Sequence, residues 1–565
     1  MAAVSFKRER LRGAPSLFEY RRRYPLTVAN FGALNDREAW LDRLWELDAR
    51  WQRERERESS APEAIVRAAP PAELSVEGEF EIIYAGGVWG LLHAAVMSCR
   101  YNRRVMVFDA GAVGHVERDW NISDDELRAL EAVGLFNKDE IEAAVVNSYR
   151  SGFVKFHDAG SRVKTPPLWM EGVLNVAIAP NKLLASASHK LEASETKSAL
   201  MSGQRFVRCY VQPSRVAVEV EDARTKRRSL YAARLFVDAT GAESAVARQL
   251  NEDRALTHVC PTVGTISRGL VRGAESNQVD FSVGEILVSN EDARDHRQLI
   301  WEGFAGSHAR DEYATYLFFY DAVDSPADKS LLALFERYFE GLPSYKRAGA
   351  QWRVVKPVFG YASGFHSRTL RESKKRRAED RVLLVGDVTG QSSLLVFGGT
   401  GTHVRNLQRM THLTELALKA DLLDAASLSE INEDVPRVAQ ASSLAEFLRP
   451  TPKSAPSTVN ETLNAVMAAL HSLDERVRRE LFQDRMSFNA LKRLLSRTAK
   501  LYPRIFQRVR EHFGARGTFW WLAQIASAAF SERRARNAMP KEDTGEDAAQ
   551  EFARHVARYK RRDEG

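Results

Sequence analysis

A stretch near the start of the chain combines a glycine-rich turn with an acidic residue about 20 positions later. Phe80 to Tyr84 is an apolar run without polar alternation, the pattern of a parallel strand buried on both faces. A second apolar run, Val105 to Phe108, ends on Asp109. The turn between them contains Ala85, Gly86, Gly87 and Gly90. This is the pattern of a dinucleotide-binding unit, which consists of a strand, a glycine turn, a helix and a second strand that ends on an acid. The acid follows the glycines by roughly 20 residues and bonds a ribose hydroxyl.

The turn residues have separate physical roles in such a unit. Gly87 would let the backbone approach a pyrophosphate at the positive end of the helix, and Gly90 would let the helix pack closely on the strand. Ala85 stands where the usual motif has its first glycine. Alanine fits that tight turn only if its φ stays negative, so we expect a remodelled loop or weaker binding.

Two more motifs follow in the order that flavoproteins use. Val207 to Val220 and Ser229 to Val237 are predicted strands, and the second leads into a D-A-T-G motif with Asp238 and Gly241. A third apolar strand ends at Gly386 and Asp387, where the carboxylate could bond ribityl hydroxyls. The glycines that open the next predicted helix, which would face a phosphate or the flavin ring, are Gly398, Gly399 and Gly401. Together the three motifs predict an α/β, FAD-binding Rossmann-like fold of the two-dinucleotide-binding-domain type.

The remaining sequence divides into regions that differ in predicted secondary structure and in charge. The 565 residues allow two or more domains, and a mixed sheet lies between the second and third motifs. The predicted boundaries are an N-terminal helical extension and linker at 1–75, a discontinuous FAD domain at 76–260 and 363–424, an inserted β-sheet substrate domain at 261–362, a helical C-terminal domain at 425–536, and a charged tail at 537–565.

Composition limits the cellular setting. Three scattered cysteines are too few for a disulfide framework or a metal cluster, which indicates a reducing compartment. The N-terminus lacks the apolar core of a signal peptide, and no uncharged run approaches the roughly 20 residues of a membrane span. A net charge of +7, with 82 basic and 75 acidic residues, does not by itself indicate nucleic-acid binding. We therefore expect a cytoplasmic protein, and the sequence predicts no oligomeric state.

The C-terminal region suggests a membrane surface as a partner. Basic amphipathic segments surround an aromatic cluster, Phe519 to Leu522, and such helices with interfacial tryptophans can lie in a bilayer surface. The alternative is that these helices simply pack on the FAD domain.

With these motifs the chain resembles the flavin-dependent lycopene cyclases of the CruA/CruP type, in the superfamily that also contains geranylgeranyl reductases and aromatic hydroxylases. The resemblance covers roughly residues 20 to 530. It depends on the glycine turn, the R-D-W-N-I-S segment from Arg118, the L-I-W-E-G-F segment from Leu299, the K-P-V-F-G-Y segment from Lys356, and the long segment from Gly386 to Leu407.

The resemblance implies an acid-initiated reaction without net redox change. A terminal double bond of lycopene is protonated, and the carbocation closes to a β-ionone ring with loss of a proton, while FAD is needed in its reduced form and NAD(P)H is a possible external reductant. Such chemistry requires a general acid in a dry, apolar cavity. The candidate acids are Glu302, in an otherwise apolar strand, and Asp321, at the end of an aromatic strand. Trp89, Trp120 and Trp301 are candidates for the cavity wall.

Two other functions remain open from the sequence. One is a flavin-dependent oxidoreductase, either a hydroxylase or a polyprenyl reductase that uses NAD(P)H. The other is a non-catalytic FAD-binding paralogue, which Ala85 favours. It is also favoured by Phe319 and Tyr320, which stand near the place where better-known cyclases carry paired glutamates.

Overall fold

A computed structural model describes residues 13–56, 63–251, 257–306, 311–364, 376–390, 395, 398–432, 440–537 and 547–562. Their strands form three sheets. The strands are β1 (Ile65–Val66), β2 (Val76–Ala85), β3 (Val105–Asp109), β4 (Trp120–Ile122), β5 (Val145–Ser148), β6 (Ser151–Lys155), β7 (Leu168–Met170), β8 (Val176–Ile178), β9 (Ala199–Ser202), β10 (Gln204–Val211), β11 (Val216–Asp222), β12 (Arg228–Asp238), β13 (His258–Leu270), β14 (Val283–Val288), β15 (Ile300–Phe304), β16 (Glu312–Phe318), β17 (Asp321–Ala322), β18 (Ala348–Gly364), β19 (Ala378–Glu379) and β20 (Val382–Leu384).

The helices lie at both ends of the chain and between the strands. They are α1 (Leu17–Arg23), α2 (Pro25–Asn30), α3 (Arg37–Glu56), α4 (Trp89–Tyr101), α5 (Asp124–Ala132), α6 (Lys138–Ala144), α7 (Pro180–Glu192), α8 (Ala245–Leu250), α9 (Leu331–Tyr345), α10 (Gly399–Lys419), α11 (Ala425–Asn432), α12 (Thr458–His471), α13 (Glu475–Phe482), α14 (Phe488–Leu501), α15 (Ile505–Asn537) and α16 (Ala548–Arg562).

The first sheet has a parallel centre in the order β20-β12-β2-β3-β9. Except for the partly exposed β9 and the first half of β2, these strands are buried on both faces, which explains their continuous apolar runs. Ala85 pairs with Asp238 on one side and with Phe108 on the other, and Asp238 pairs with Leu384. The three glycine motifs therefore follow the carboxyl ends of adjacent strands, where open parallel sheets bind their ligands.

An antiparallel extension joins this sheet at the first half of β12, which pairs with β11. The run Val207 to Val220, predicted as a single strand, is a hairpin in which β10 pairs with β11. The prediction of one strand is wrong because Pro213 and Ser214 turn the chain between them, and Gln212 N–H donates to the Arg215 carbonyl at 2.9 Å.

The second sheet has the order β17-β13-β16-β15-β14-β6-β7, with β18 also paired to β13. It contains β6 and β7, which lie inside the segment 76–260 that was predicted to belong to the FAD domain. One face packs against α9 and the N-terminal helices, and the other contributes to a core shared with the C-terminal helices. The third sheet is small, with the order β4-β8-β5.

The N-terminal helices are held to the second sheet by a buried acid. Asp48 on α3 accepts hydrogen bonds from Ser330 Oγ at 2.6 Å and from the Leu331 amide at 2.7 Å, so it caps α9. It also accepts a hydrogen bond from the Tyr361 hydroxyl at 2.7 Å. The predicted N-terminal extension is therefore part of the wall behind the second sheet.

The chain end also packs on the protein. Within the predicted charged tail, α16 lies against α10 and buries Phe552 and Val556 in the core of the first sheet's domain. Residues 538–546 and 563–565 of the tail lie outside the described residues. In the part of the chain that the structure describes, no helix is both long and apolar enough to cross a bilayer.

Candidate active site

The glycine turn after β2 shows how alanine is accommodated at its first position. Ala85 stays in the strand, and the left-handed conformation falls on Gly86, whose φ is +114°. A Cβ at Gly86 would lie only 2.1 Å from the carbonyl oxygen of Ala239, in the second motif. The turn is therefore displaced by one residue relative to the expected motif, and the residue in the constrained position is still glycine.

Gly87 and Asp109 are linked directly. The Gly87 amide donates to Asp109 Oδ2 at 2.8 Å, and the Gly111 amide donates to Oδ1 at 2.7 Å. A carboxylate offers about four acceptor positions, so two remain for ribose hydroxyls. Gly90 performs the predicted packing role, since its Cβ would lie 3.3 Å from the Ala239 Cβ. The N-terminus of α4 has no side-chain cap, which leaves its positive end suited to an anion.

The second motif organises the backbone instead of presenting a side chain to a ligand. Asp238 is buried and accepts hydrogen bonds from the Thr240 amide at 2.9 Å and from the hydroxyls of Thr240 and Ser244. Burial raises the pKa of Asp238 above its ordinary value. Gly241 follows with a φ of +94°. This turn holds Ala239 against the first motif.

The third motif supplies a charged group to the site. Gly386 has a φ of +86°, and a Cβ there would lie 3.0 Å from Cδ1 of Trp89. Next to it, Asp387 Oδ1 lies 2.8 Å from Nε2 of His403. Although burial opposes ionisation, the hydrogen bond from His403 and the charge of Arg118 lower the pKa of Asp387 to about 2. Asp387 is therefore an anion at neutral pH.

The first turn of α10 faces a second acid, Glu126, which also belongs to the capping box of α5. Gly398 is the N-cap of α10, and Gly399 and Gly401 lie in its first turn. A Cβ at Gly401 would lie 2.2 Å from Oε1 of Glu126, which also accepts a hydrogen bond from Arg405. A side chain at position 401 would therefore require the buried Glu126 carboxylate to move away from this turn.

A cavity of about 350 Å³ lies between these motifs and the second sheet. Its volume falls at the lower end of the roughly 300–1,000 Å³ of small-molecule sites. Its aromatic lining consists of Trp89, Trp120, Phe304, Tyr316, Phe359 and Tyr361. Its polar lining consists of Arg118, Asp119, Asn121, Thr262, Glu302, Asp387 and Thr400. The cavity thus brings the third motif and one candidate acid, Glu302, to one place.

Glu302 projects into this cavity from β15. Burial raises its pKa to about 8, and the charge of Arg118 only partly offsets this effect. The carboxyl group is therefore protonated at neutral pH, the form in which it can donate a proton. Phe304, two residues later on the same face of the strand, lines the same cavity.

The raised pKa of Glu302 predicts a pH-dependent stability. Between pH 4.5 and about 8 the folded protein retains a proton that the unfolded chain releases, so raising the pH favours unfolding. We expect this residue to lower the free energy of unfolding by up to about 1.4 kcal/mol per pH unit in that interval. Glu302→Gln removes the titrating group. Denaturant unfolding across this range should give a smaller fall for the variant, and parallel curves would contradict the assignment.

Asp321 lies elsewhere, in an ion pair. Its Oδ2 is 3.0 Å from Nζ of Lys329, both side chains are buried, and Oδ1 accepts a hydrogen bond from the Ala322 amide at 2.8 Å. Asp321 does not line the 350 Å³ cavity. Of the two candidate acids, only Glu302 is placed at the cavity with the motifs.

Asp321→Asn is expected to destabilise the protein by about 3–5 kcal/mol, because the Lys329 ammonium would remain buried without its counter-charge. Activity per folded molecule should change little, since the cavity lining is untouched. Unfolding curves and turnover measured on the same preparation check both expectations. A loss of turnover at unchanged stability would instead give Asp321 a catalytic role.

The three tryptophans that are candidates for the cavity wall lie in two different environments. Trp89 and Trp120 stack with ring centroids 5.0 Å apart and an interplanar angle of 9° at the cavity wall. Trp301 is on the opposite face of β15 from Glu302, as alternate strand residues must be, and it stacks on Tyr345. Trp301 is therefore part of the core against α9, and Trp89 and Trp120 are the tryptophans at the cavity.

Two polar residues at the cavity, Arg118 and Asn121, were not predicted to be site residues. The Arg118 side chain is exposed at the cavity, close enough to Glu302 and Asp387 to affect both pKa values. Asn121 Oδ1 is buried and has no hydrogen-bond partner among the residues that the structure describes. An unsatisfied buried acceptor at a cavity wall fits a ligand that donates a hydrogen bond there. Both residues lie in the R-D-W-N segment that contributes to the resemblance to lycopene cyclases, but no spacing rule marks Arg118 or Asn121 individually.

Comparisons with known proteins agree with this architecture. No family model matches the chain, and no curated protein sequence matches it. A geranylgeranyl bacteriochlorophyll reductase-like protein from Thermoplasma acidophilum aligns with a TM-score of 0.52 and 10% identity, over 77% of this chain and 99% of that one. The halogenase PltM in complex with phloroglucinol and FAD aligns with a TM-score of 0.51 and 12% identity, over 85% of this chain and 95% of that one.

The chain has the fold of FAD-dependent enzymes. At these identities the likeness concerns the fold alone. The predicted α/β, Rossmann-like fold with a second sheet and a helical C-terminal region is confirmed. Neither structure is a lycopene cyclase, so that more specific resemblance stays a hypothesis.

Proposed function

We propose that this chain is an FAD-dependent enzyme that protonates a carbon–carbon double bond of an apolar isoprenoid substrate. The dinucleotide part of FAD would be held by the α4 N-terminus and Asp109, and its flavin part by the cavity wall that includes Asp387, Gly399 and Asn121. The uncapped helix end and the unsatisfied Asn121 oxygen support this placement. When bound, reduced FAD would supply an electron-rich ring next to the developing positive charge, or a hydride.

Glu302 is the proton donor in this proposal. Its neutral carboxyl group transfers a proton to one alkene carbon, the neighbouring carbon becomes cationic, and Glu302 becomes a carboxylate next to Arg118. The Arg118 charge stabilises that carboxylate. The stacked pair Trp89 and Trp120 and the other aromatic rings exclude water and stabilise the cation through their faces.

Lycopene cyclisation is the first candidate reaction. A second double bond of the substrate attacks the cationic carbon to form the ring, and a ring proton is then lost, so the product is an isomer of the substrate. The observation that carries this candidate is the Glu302 carboxyl group, whose pKa burial raises to about 8, in a cavity lined by six aromatic and seven polar side chains. Acid-initiated cyclisation needs that combination.

The test is expression in a host that accumulates lycopene. Wild-type protein should produce β- or γ-carotene, and Glu302→Gln at equal protein level should not. Unchanged lycopene with a flavin-loaded, folded wild-type protein would reject the cyclase and leave the flavin oxidoreductase and the non-catalytic FAD-binding role.

A flavin oxidoreductase, such as a polyprenyl reductase, is the second candidate, and the structural comparisons favour it. In that reaction a hydride would be added to one alkene carbon and the Glu302 proton to the other, with NAD(P)H as the source of the electrons. The product would contain two more hydrogen atoms than the substrate. Stoichiometric consumption of NAD(P)H coupled to such a product distinguishes it from cyclisation, which consumes none.

A further inference from the structure

The second half of α15 carries an outward apolar face. Gly514, with a φ of 63° and a ψ of 179°, interrupts α15 and begins this half. Phe519, Leu522, Ala526 and Phe530 follow at spacings of three and four residues, which places them on one side of a helix. The side chains of Phe519 and Phe530 are 64% and 70% exposed, and Leu522 is 54% exposed. We call these four residues the α15 outer face.

The opposite side of the same helix is packed. Trp521 is buried and stacks on Phe513 with ring centroids 5.6 Å apart. It also lines an apolar cavity of about 70 Å³, whose other walls include Phe156 and Leu287 from the second sheet's side. Among the residues that the structure describes, packing on the protein explains the inner side of α15 and leaves more than half of each large apolar side chain of the outer face exposed.

The charges around the outer face point to an anionic, apolar partner. Arg516 stands three residues before Phe519, and the segment after Phe530 contains Glu532 together with Arg533, Arg534 and Arg536, so both ends of the face carry a net positive charge. No acidic residue occurs between positions 515 and 531. Trp520, half-buried beside Phe519 at a centroid distance of 5.3 Å, is the residue type that lies at bilayer interfaces.

The dimensions favour a helix that lies on a bilayer instead of crossing it. From Phe519 to Phe530 the face extends about 16 Å, at roughly 1.5 Å per residue, against an apolar bilayer core of about 30 Å. An amphipathic helix with cationic ends and large apolar residues between them inserts to the level of the headgroups.

We propose that the α15 outer face docks this protein on the surface of an anionic lipid bilayer. This inference rests on the proposed function in one respect. An apolar isoprenoid substrate would be dissolved in the bilayer, and docking would bring the enzyme to it. The flanking arginines and the interfacial Trp520 favour an anionic lipid surface over a second protein as the partner of this face.

The test is co-sedimentation of the purified full chain with vesicles of phosphatidylcholine, with and without phosphatidylglycerol. Wild-type protein should bind the anionic vesicles, with a blue shift of tryptophan emission. The F519S/F530S double variant should bind at least about tenfold more weakly, because two large apolar side chains no longer enter the interface. The matched control is Phe18→Ser, which removes an equally exposed phenylalanine of α1 (76% exposed) and should bind as wild type.

A second double variant tests how much the flanking arginines contribute to vesicle binding. R516Q/R533Q should lose affinity for anionic vesicles only, and added salt should reduce the difference from wild type. Wild-type protein that binds neither vesicle, or F519S/F530S protein that binds as wild type, would overturn the proposal. So would a wild-type dimer that F519S/F530S dissociates in the absence of lipid. These measurements need no substrate, so their failure would leave the proposed reaction standing, and failure of the reaction would leave vesicle binding standing.

Discussion

Glu302→Gln is expected to lower turnover by about 10²–10⁴-fold, the usual contribution of a positioned general acid. Glutamine has nearly the shape of the neutral carboxyl group that burial favours at this position, so the cavity should keep its form. It has no proton to transfer to carbon. The measurement is the rate of product formation at saturating substrate, on protein loaded with FAD.

The controls separate chemistry from structure. Glu302→Gln should bind FAD as wild type and should unfold no more easily at neutral pH, whereas Asp321→Asn should lose stability and keep its turnover per folded molecule. Glu302→Asp should recover part of the rate, with a changed pH profile. A Glu302→Gln protein that retains wild-type turnover would exclude Glu302 as the acid in both candidate reactions.

Gly86→Ala is expected to destabilise the protein by more than about 3 kcal/mol and to abolish FAD binding. The left-handed backbone alone costs a side chain about 1–2 kcal/mol. In addition, the new Cβ would meet the backbone oxygen of Ala239 at 2.1 Å, where neither strand end can move without breaking the pairing of β2 with β12. Denaturant unfolding and flavin fluorescence titration measure the two losses.

Gly203→Ala is the matched control, because Gly203 has a φ of +74° but a Cβ added there would have no atom within 4 Å among the described residues. Gly203→Ala should lower the free energy of unfolding only by the cost of the backbone strain, and it should leave FAD binding intact. If Gly86→Ala behaves like Gly203→Ala, the contact between the first and second motifs does not hold the turn in place.

The convergence of the three motifs could be predicted because it depends on local patterns. Continuous apolar strands ending on Ala85, Asp238 and the residues before Asp387 are typical of neighbouring parallel strands, and their ends meet at one edge of the sheet. The position of Glu302 in an otherwise apolar strand also makes it a candidate general acid from the sequence alone.

Other features depend on tertiary contacts that no spacing encodes. The pattern from Ser123 to Glu126 is typical of a helix capping box, yet the Glu126 carboxylate also lies against Gly401, which is 275 positions away in the sequence. The side of β15 that faces the cavity could not be read from the sequence, because Trp301 and Glu302 alternate and both faces of this strand are buried. The displacement of the left-handed residue from position 85 to Gly86 depends on the approach of Ala239.

The most direct test of Glu302 as the proton donor is infrared spectroscopy of the purified protein as a function of pH, with Glu302→Gln as the reference. We predict the carbonyl band of a protonated carboxylic acid at neutral pH, which disappears as the pH rises through the Glu302 pKa of about 8 and is absent from the variant. A difference spectrum without that band at neutral pH would show that Glu302 is ionised, and it would contradict the proposed role of this residue.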